Sequence, residues 1–344
     1  MDFNEHQENR TIQYCFHSGN TSCLKKVRPT AVNVILYFFL LAVVFLTVCG
    51  NLLVIISISH FKQLHTPTNL LVLSLAVADF LIGVTVMPFT MIQSVESCWY
   101  FGDTFCTLYS VLILLLTSVS VSSLVFIAID RFFAVCDPLL YSTKITVNVI
   151  YLVISLSWFL SLLYALSIIY SKGNIDGDEA LDTCQGDCLF TFNATWGLID
   201  LVMTFLLPST FMITLYAKIF IVAKRHARVI SSASAQVTSG DRSKSKTSNI
   251  SERKAAKTLG LVLLVFLLCW IPYHLCTIID SYINFSVPSD VINTLAWLVY
   301  INSSINPLIY ALFYPWFQKS VKLIITFRIC YTASSLINLY PENV

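Results

Sequence analysis

The sequence predicts an all-α membrane protein: a bundle of seven transmembrane helices with an extracellular N-terminus and a short cytoplasmic amphipathic helix. Of its 344 residues, 56% are hydrophobic and only 12% are charged, whereas a soluble domain carries about 25% charged residues. Seven apolar stretches are each long enough to cross a bilayer. They cover residues 32–59, 69–93, 104–135, 147–170, 196–223, 256–283 and 291–313. Because lipid offers backbone groups no hydrogen-bond partner, these stretches are predicted to be helices, numbered one to seven here.

This composition excludes several classes of protein. The low charge rules out a soluble globular enzyme and a disordered protein, and a net charge of +2 gives no sign of nucleic-acid binding. The first thirty residues are polar and lack the apolar core of a signal peptide. We therefore predict an extracellular segment (residues 1–31), a membrane bundle (32–313), and an amphipathic helix with a cytoplasmic tail (314–344).

Basic residues predict the orientation in the membrane. Residues 224–257 hold nine Lys or Arg against two acids, while the loop at 171–195 holds five acids against one lysine. Since basic loops stay in the cytoplasm, we expect a multi-pass plasma-membrane protein, surrounded by lipid, with its N-terminus outside. Three basic residues, Lys25, Lys26 and Arg28, lie before helix one and would favour the opposite orientation. The larger number of basic residues on the other side outweighs them. The sequons at Asn9 and Asn20 fall in the outer segment, where we expect glycosylation.

Ionisable residues inside the helices are candidates for function. Each costs at least about 2.5–3.5 kcal/mol to insert, so such residues are rarely incidental. They are Asp79, Asp130, Arg131, Asp200 and His274. The alternative is that they only hold helices together. We expect structural or switching roles for Asp79 and the Asp130–Arg131 pair, and ligand contact for Asp200.

Motifs on each helix carry a family resemblance. They are Asn51 in Gly-Asn-Leu-Leu-Val, Asp79 in Leu-Ala-Val-Ala-Asp, Asp130-Arg131-Phe132, Trp158, Pro208, Cys269-Trp270-Ile-Pro272, and Asn306-Pro307-Leu-Ile-Tyr310. Together they resemble rhodopsin-like G-protein-coupled receptors. Residues 302–317 are similar to the fingerprint of trace amine-associated receptors, which are mostly olfactory. The resemblance implies a receptor rather than an enzyme, a small amine as ligand, and a stimulatory or olfactory G protein that raises cyclic AMP.

The amine site departs from this family. In aminergic receptors the ligand's counter-ion is an aspartate on helix three, seven residues after a cysteine. Here the cysteine is Cys106 and that position holds Ile113. Asp200 on helix five offers a replacement, about 12 Å above Pro208 along the axis at 1.5 Å per residue. We expect its carboxylate to be unpaired in the empty receptor and to bind the ligand ammonium. The alternatives are snorkelling to the outer water and pairing with a base.

The remaining pocket residues follow from helical spacing. Trp270, Tyr273, His274 and Thr277 share one face of helix six. Tyr300 on helix seven and Thr117 on helix three lie at similar predicted depth, beside Ile113. Aromatic faces attract an ammonium by about 0.5–2 kcal/mol. For each aromatic residue, plain packing is the alternative to ligand contact.

The resemblance also assigns switch residues, an ion site and disulfides. It implies that Arg131 pairs with Glu252 in the inactive state and moves to Tyr216 and Tyr310 on activation. It implies a sodium pocket, for which a water network is the alternative, and no other cofactor; its members are Asp79, Ser120, Asn302, Ser303 and Asn306. It pairs Cys106 with Cys188, and Cys184 with either Cys15 or Cys23, with Cys98 as a spare.

The sequence leaves two alternative functions. One is a rhodopsin-like receptor for a peptide or lipid, which the loss of the helix-three aspartate favours. The other is a transporter, but internal repeats and broken mid-membrane helices are not evident in the sequence.

Overall fold

The computed structural model describes residues 13–16, 22–171, 184–188, 194–233, 242–283, 286–331 and 334–339. Within these ranges, the side chains of residues 194, 226–233, 242–259 and 281 are not described. The predicted glycosylation sites Asn9 and Asn20 lie outside the described residues. Glu252 belongs to a described helix, but its side chain lies outside the description.

Seven helices in the described part of the chain are long and apolar enough to cross a membrane. They are Thr30–His60, Pro67–Glu96, Asp103–Cys136, Val147–Tyr170, Thr195–Arg225, Gly260–Asp280 and Ser289–Phe313. A short helix, Pro138–Lys144, follows helix three, and the amphipathic helix spans Pro315–Ile325. The predicted all-α seven-helix fold is confirmed.

Two helices extend beyond their apolar cores into the cytoplasm. Helix five continues to Ala233, and the helix that contains span six begins at Arg242, well before its predicted start at residue 256. Hydropathy marks the part of a helix that lies in lipid, while backbone hydrogen bonding continues through polar residues such as Lys and Arg, which are good helix formers. The sequence therefore predicted the membrane spans and not the full helices.

Side-chain caps and prolines set several helix starts. Thr66 accepts a hydrogen bond from the Asn69 backbone N–H, and Pro67 occupies the first turn of helix two. Thr146 caps helix four by accepting from Val149 in the same way. Both arrangements satisfy a backbone donor that the first turn leaves without a helical partner.

In the part of the chain that the structure describes, two π-helical segments interrupt the regular α-helical turns. One is Ile82–Val86 in helix two, and the other is Leu201–Leu206 in helix five, which begins directly after Asp200. A π turn adds a residue to the α-helical period, so it rotates the residues before it relative to those after it. The direction of the Asp200 side chain therefore could not be obtained by counting back from Pro208.

Helices one and seven approach closely in the middle of the bundle. A Cβ placed on Gly50 would lie 3.0 Å from the ring of Pro307, so only glycine fits without a shift. Beside it, the Asn51 side-chain amide donates to the Ser303 carbonyl at 3.1 Å. The kink at Pro307 and the absent side chain at Gly50 together bring the helices into contact.

Ion pairs and disulfide bonds attach the outer N-terminal segment to the helix bundle. Residues Gln13–Tyr14 and Leu24–Lys25 pair as an antiparallel ribbon. Lys25 forms an ion pair of 2.7 Å with Glu96, and that partner raises the pKa of Lys25. Lys26 and Arg28 both pair with Asp290 at the start of helix seven. The three basic residues that opposed the orientation rule are thus each paired with an acid on the same side, two of them with the same aspartate.

Candidate ligand-binding site

Asp200 lies in the outer half of helix five and has a partner that the sequence did not predict. The Tyr164 hydroxyl, on helix four, donates to its Oδ1 at 2.8 Å. The Thr204 hydroxyl donates to the Asp200 backbone carbonyl at 2.7 Å. The sequence analysis expected a carboxylate without a counter-charge and did not foresee this neutral partner, a phenol that donates a hydrogen bond to it. The sequence contained one signal, Tyr164 in the mostly apolar outer half of helix four.

Tyr164 and Thr204 also line a cavity of about 190 Å³ between helices three, four and five. Its wall includes three hydroxyl groups at membrane depth, those of Ser118, Ser122 and Ser161.

Helix six carries a series of packed aromatic rings, called the aromatic stack here. His274 is only 3% exposed, and its ring lies 5.0 Å from Phe205 on helix five and 5.6 Å from Trp270. Tyr273 contacts the same ring edge-on. The ring nitrogens Trp270 Nε1 and His274 Nε2 have no hydrogen-bond partner in the described structure. Buried polar atoms usually have a partner, so these two nitrogens are unmet hydrogen-bonding groups among the packed rings of helix six.

The predicted pocket residues do not all belong to one cluster of packed side chains. Tyr300 is buried with Trp297 and Cys188, and Ile113 packs against the same cluster. Trp270 and Tyr273 belong instead to the apolar cluster of helices three, five and six. The hydroxyls of Thr117 and Thr277 donate within their own helices, to the carbonyls of Ile113 and His274. The structure thus divides the predicted residues between two neighbouring clusters of packed side chains.

A further buried carboxylate was missed in the sequence. Asp280, near the outer end of helix six, is 5% exposed and accepts a hydrogen bond from the Val287 backbone N–H at 2.8 Å. This bond fastens the loop between helices six and seven, so the geometry gives Asp280 a structural role.

The polar cluster below the pocket centres on Asp79, which is fully buried. Ser120 donates to its Oδ1 at 2.9 Å, and the Asn306 amide donates to its Oδ2 at 2.7 Å. Asn302 and Ser303 are buried on the same helix as Asn306. A carboxylate with hydroxyl and amide oxygens nearby is a donor set that fits a hard cation such as sodium.

The cytoplasmic end of helix three holds a compact charge cluster. Arg131 Nε donates to Asp130 Oδ2 at 2.9 Å, and the Tyr141 hydroxyl donates to Asp130 Oδ1 at 3.0 Å. Thr68 on helix two contacts both residues of the pair. No hydrogen bond joins Arg131 to Tyr216 or Tyr310 in the described part of the chain. The arginine is therefore held by its own helix and its neighbour.

Three disulfides fasten the outer surface. Cys106 at the top of helix three pairs with Cys188 in the second outer loop. Cys184 in the same loop pairs with Cys23, which decides between the two alternatives that the sequence left open. Cys15 pairs with Cys98, the cysteine predicted as a spare. The N-terminal segment is thus tied both to the second outer loop and to the outer end of helix two.

Comparison with known proteins agrees with this architecture. The family model described as 7 transmembrane receptor (rhodopsin family) matches residues 50–310. The seven spans, the buried aspartate of helix two and the charged pair at the end of helix three define a receptor of this class, in which the chain crosses the plasma membrane repeatedly.

Three relatives identify the family of receptors within this class. Trace amine-associated receptor 13c of Danio rerio is 48% identical over 97% of this chain and 98% of its own length. Trace amine-associated receptor 4 of Mus musculus is 44% identical over 96% of both chains. Trace amine-associated receptor 9 of Homo sapiens is 45% identical over 99% of both. The chain belongs to the trace amine-associated receptor family, and it is a receptor rather than an enzyme.

The disulfides allow a first prediction. We expect Cys106→Ser or Cys188→Ser to abolish surface expression or signalling, because the second outer loop then loses its anchor to helix three, and removing a native disulfide costs about 2–5 kcal/mol. Cys49→Ser is the control, since Cys49 is a free thiol in helix one. Surface labelling of intact cells measures the effect. Equal damage from all three substitutions would contradict the assignment.

Proposed function

We propose that this protein is a G-protein-coupled receptor for small amines, with the ligand ammonium bound by Asp200. The observation that carries the proposal is the partly buried Asp200 carboxylate, at the end of a segment of helix five that packs against helix six. The printed names of the relatives, trace amine-associated receptors, support amines as the ligand class. Ile113 stands where the aminergic aspartate would be, so Asp200 replaces it as counter-ion.

The chemistry of this site suits an organic cation. A carboxylate in a poorly solvated place gains a charge-assisted hydrogen bond and its missing counter-charge from an ammonium. The rings of Phe205, Trp270 and Tyr273 cover the apolar part of a small amine and attract its charge. The unpartnered ring nitrogens of Trp270 and His274 are further hydrogen-bonding groups on helix six.

Activation follows a chain of packed rings from the carboxylate to helix six. Asp200 directly precedes the π segment of helix five, which contains Phe205. The Phe205 ring lies 5.0 Å from His274 and 6.2 Å from Phe266. An ammonium that draws the outer end of helix five inward presses these rings against helix six, and Pro272 provides a kink about which its cytoplasmic end moves.

Signalling then uses the cytoplasmic cluster. Opening of helix six frees Arg131 from its inactive contacts, Glu252 among them, and lets it meet Tyr216 and Tyr310. A stimulatory or olfactory G protein binds in the cleft and raises cyclic AMP. Sodium at Asp79, Ser120, Asn302, Ser303 and Asn306 stabilises the inactive state. A ligand shifts this equilibrium only by its difference in affinity for the two states.

A panel of amines applied to cells that report cyclic AMP tests ligand class and coupling together. We expect responses to small amines and none to neutral analogues in which a hydroxyl replaces the amino group. Responses to peptides or lipids alone would favour the alternative, a rhodopsin-family receptor for a non-amine ligand. Equal responses in cells without the receptor would contradict the assignment of the signal.

A further inference from the structure

A cavity of about 470 Å³ lies between the outer halves of helices one and seven, beside the end of helix two, and is called the outer groove here. Phe39, which lines it, is 57% exposed, and the neighbouring Phe38 is 78% exposed, so the groove opens toward lipid. None of the described residues that line it belongs to the proposed ligand site. Its apolar walls are formed by Leu36, Phe39 and Leu40 of helix one and Trp297, Leu298 and Ile301 of helix seven.

The length of the outer groove matches the depth of one lipid leaflet. Its lining along helix seven runs from Asp290 to Ile301, which is about 16 Å at 1.5 Å per residue. The hydrocarbon core of a bilayer is about 30 Å thick, so one leaflet contributes about 15 Å of it. The groove therefore begins at the outer membrane surface and is as long as the acyl chain of a lipid.

The outer end of the groove carries an excess of positive charge. Lys26 and Arg28 both form ion pairs with Asp290, the Arg28 pair at 2.9 Å. One carboxylate balances only one of the two cations, and in the described part of the chain no other acid pairs with either of them. The neighbouring pair, Lys25 and Glu96, is balanced within itself. The mouth of the groove thus has a net charge of about +1 and favours an anionic group.

Arg28 is held in place at this mouth. Its Nη1 donates to the backbone carbonyls of Ser94 and Val95, at 3.0 and 2.8 Å, and its Nη2 donates to Asp290 Oδ1. These contacts use three of the five N–H donors of a guanidinium. A planar guanidinium with donors to spare matches the oxygens of a phosphate. The site therefore has a fixed cation beside a second, more exposed one, Lys26.

We propose that the outer groove binds one phospholipid of the outer leaflet, with its phosphate at Lys26 and Arg28 and an acyl chain along helices one and seven. The phosphate receives charge-assisted hydrogen bonds and compensates the excess charge. The chain fills the groove and gains dispersion contacts with its walls. Because lipid tails are as apolar as leucine, the walls alone distinguish little between one lipid and another. The charged mouth is therefore what selects the headgroup.

Native mass spectrometry of the purified full-length receptor in detergent tests the proposal with three probes. Dioleoylphosphatidylcholine has both the phosphate and the chains, dioleoylglycerol has the chains alone, and glycerophosphocholine has the headgroup alone. We expect one tightly bound copy of the phospholipid, with an affinity about tenfold higher than that of dioleoylglycerol, and no binding of glycerophosphocholine. Equal binding of dioleoylglycerol would overturn the role of the charges. Equally tight binding of glycerophosphocholine would identify a site for a free phosphate and overturn the role of the groove.

A charge variant locates the headgroup. Lys26→Gln leaves Arg28 and Asp290 as a balanced pair and keeps the contacts of Arg28 with helix two. Since the Lys26 side chain is 55% exposed, the fold should tolerate this change. We expect the affinity for the phospholipid to fall about fivefold, as for one basic residue at a membrane surface. Lys322→Gln is the control, because Lys322 is an exposed lysine of the amphipathic helix at the opposite membrane face. Equal losses in both variants, or no loss in Lys26→Gln, would overturn the assignment.

A steric variant locates the chain. Leu298→Trp places a larger side chain in the groove and should remove the tightly bound copy. Leu308→Trp makes the same change at a position of helix seven that is 44% exposed and outside the groove, and should keep that copy. Surface labelling checks that each variant folds, and where Leu298→Trp does not reach the surface, Lys26→Gln decides. Retention of the bound phospholipid by a folded Leu298→Trp receptor would contradict the proposal.

Discussion

Asp200→Asn should abolish amine responses while surface expression survives. The substitution keeps the size of the side chain and removes its charge, so the ligand ammonium enters a poorly solvated site without a counter-ion. Breaking a buried ion pair by removing one partner costs about 3–5 kcal/mol. At 1.36 kcal/mol per tenfold, this is a loss of affinity between about 150-fold and a few thousand-fold. Concentration–response curves for cyclic AMP, with surface labelling, measure it.

An exposed carboxylate provides the matched control. Asp103 begins helix three at the outer surface and is exposed, so Asp103→Asn removes the same charge without touching the pocket. We expect its responses to stay within a few-fold of wild type, because exposed charges are screened by salt within about 10 Å. Similar losses in both variants would mean that outer negative charge only concentrates cations. An unchanged response in Asp200→Asn would refute the site directly.

Arg131→Ala should remove agonist-driven signalling without removing amine binding. In the described structure Arg131 is held by Asp130 and Thr68, far from the outer pocket and at the face where a G protein would bind. The substitution therefore removes the group that the G protein is proposed to meet and leaves the ligand contacts intact. Cyclic AMP at saturating amine, together with binding of a labelled amine, measures the two effects separately.

Lys62→Ala is the control for Arg131→Ala, since Lys62 is an exposed base in the first cytoplasmic loop. Its response should resemble wild type. Normal signalling by Arg131→Ala would show that the proposed switch is the wrong one.

Glu252→Ala examines the inactive state. If Glu252 pairs with Arg131 when the receptor is inactive, its loss should raise basal cyclic AMP, because the closed state loses a stabilising partner. Unchanged basal signalling at matched surface levels would mean that this lock is absent from the receptor.

The sequence by itself determined the membrane bundle, because the driving force is compositional. Stretches of about 20 apolar residues must be helical in lipid, so length and hydropathy located seven spans within a few residues of those in the structure. Motifs such as Asp130-Arg131 and Asn306-Pro307 then pointed to the receptor family, which the relatives confirm. The same approach located Asp200 as the unusual carboxylate of helix five.

What only the tertiary structure decided was which groups meet. Tyr164 and Asp200 are 36 positions apart in the chain, and their contact depends on how helix four packs against a helix five that the π segment at Leu201–Leu206 has rotated. The choice of Cys23 as the partner of Cys184 depends on how the N-terminal ribbon lies over the second outer loop. Hydropathy reports which residues enter lipid, and carries no information about the rotation of one helix against another. Partners across helices are therefore fixed by packing and by local departures from the α-helical period.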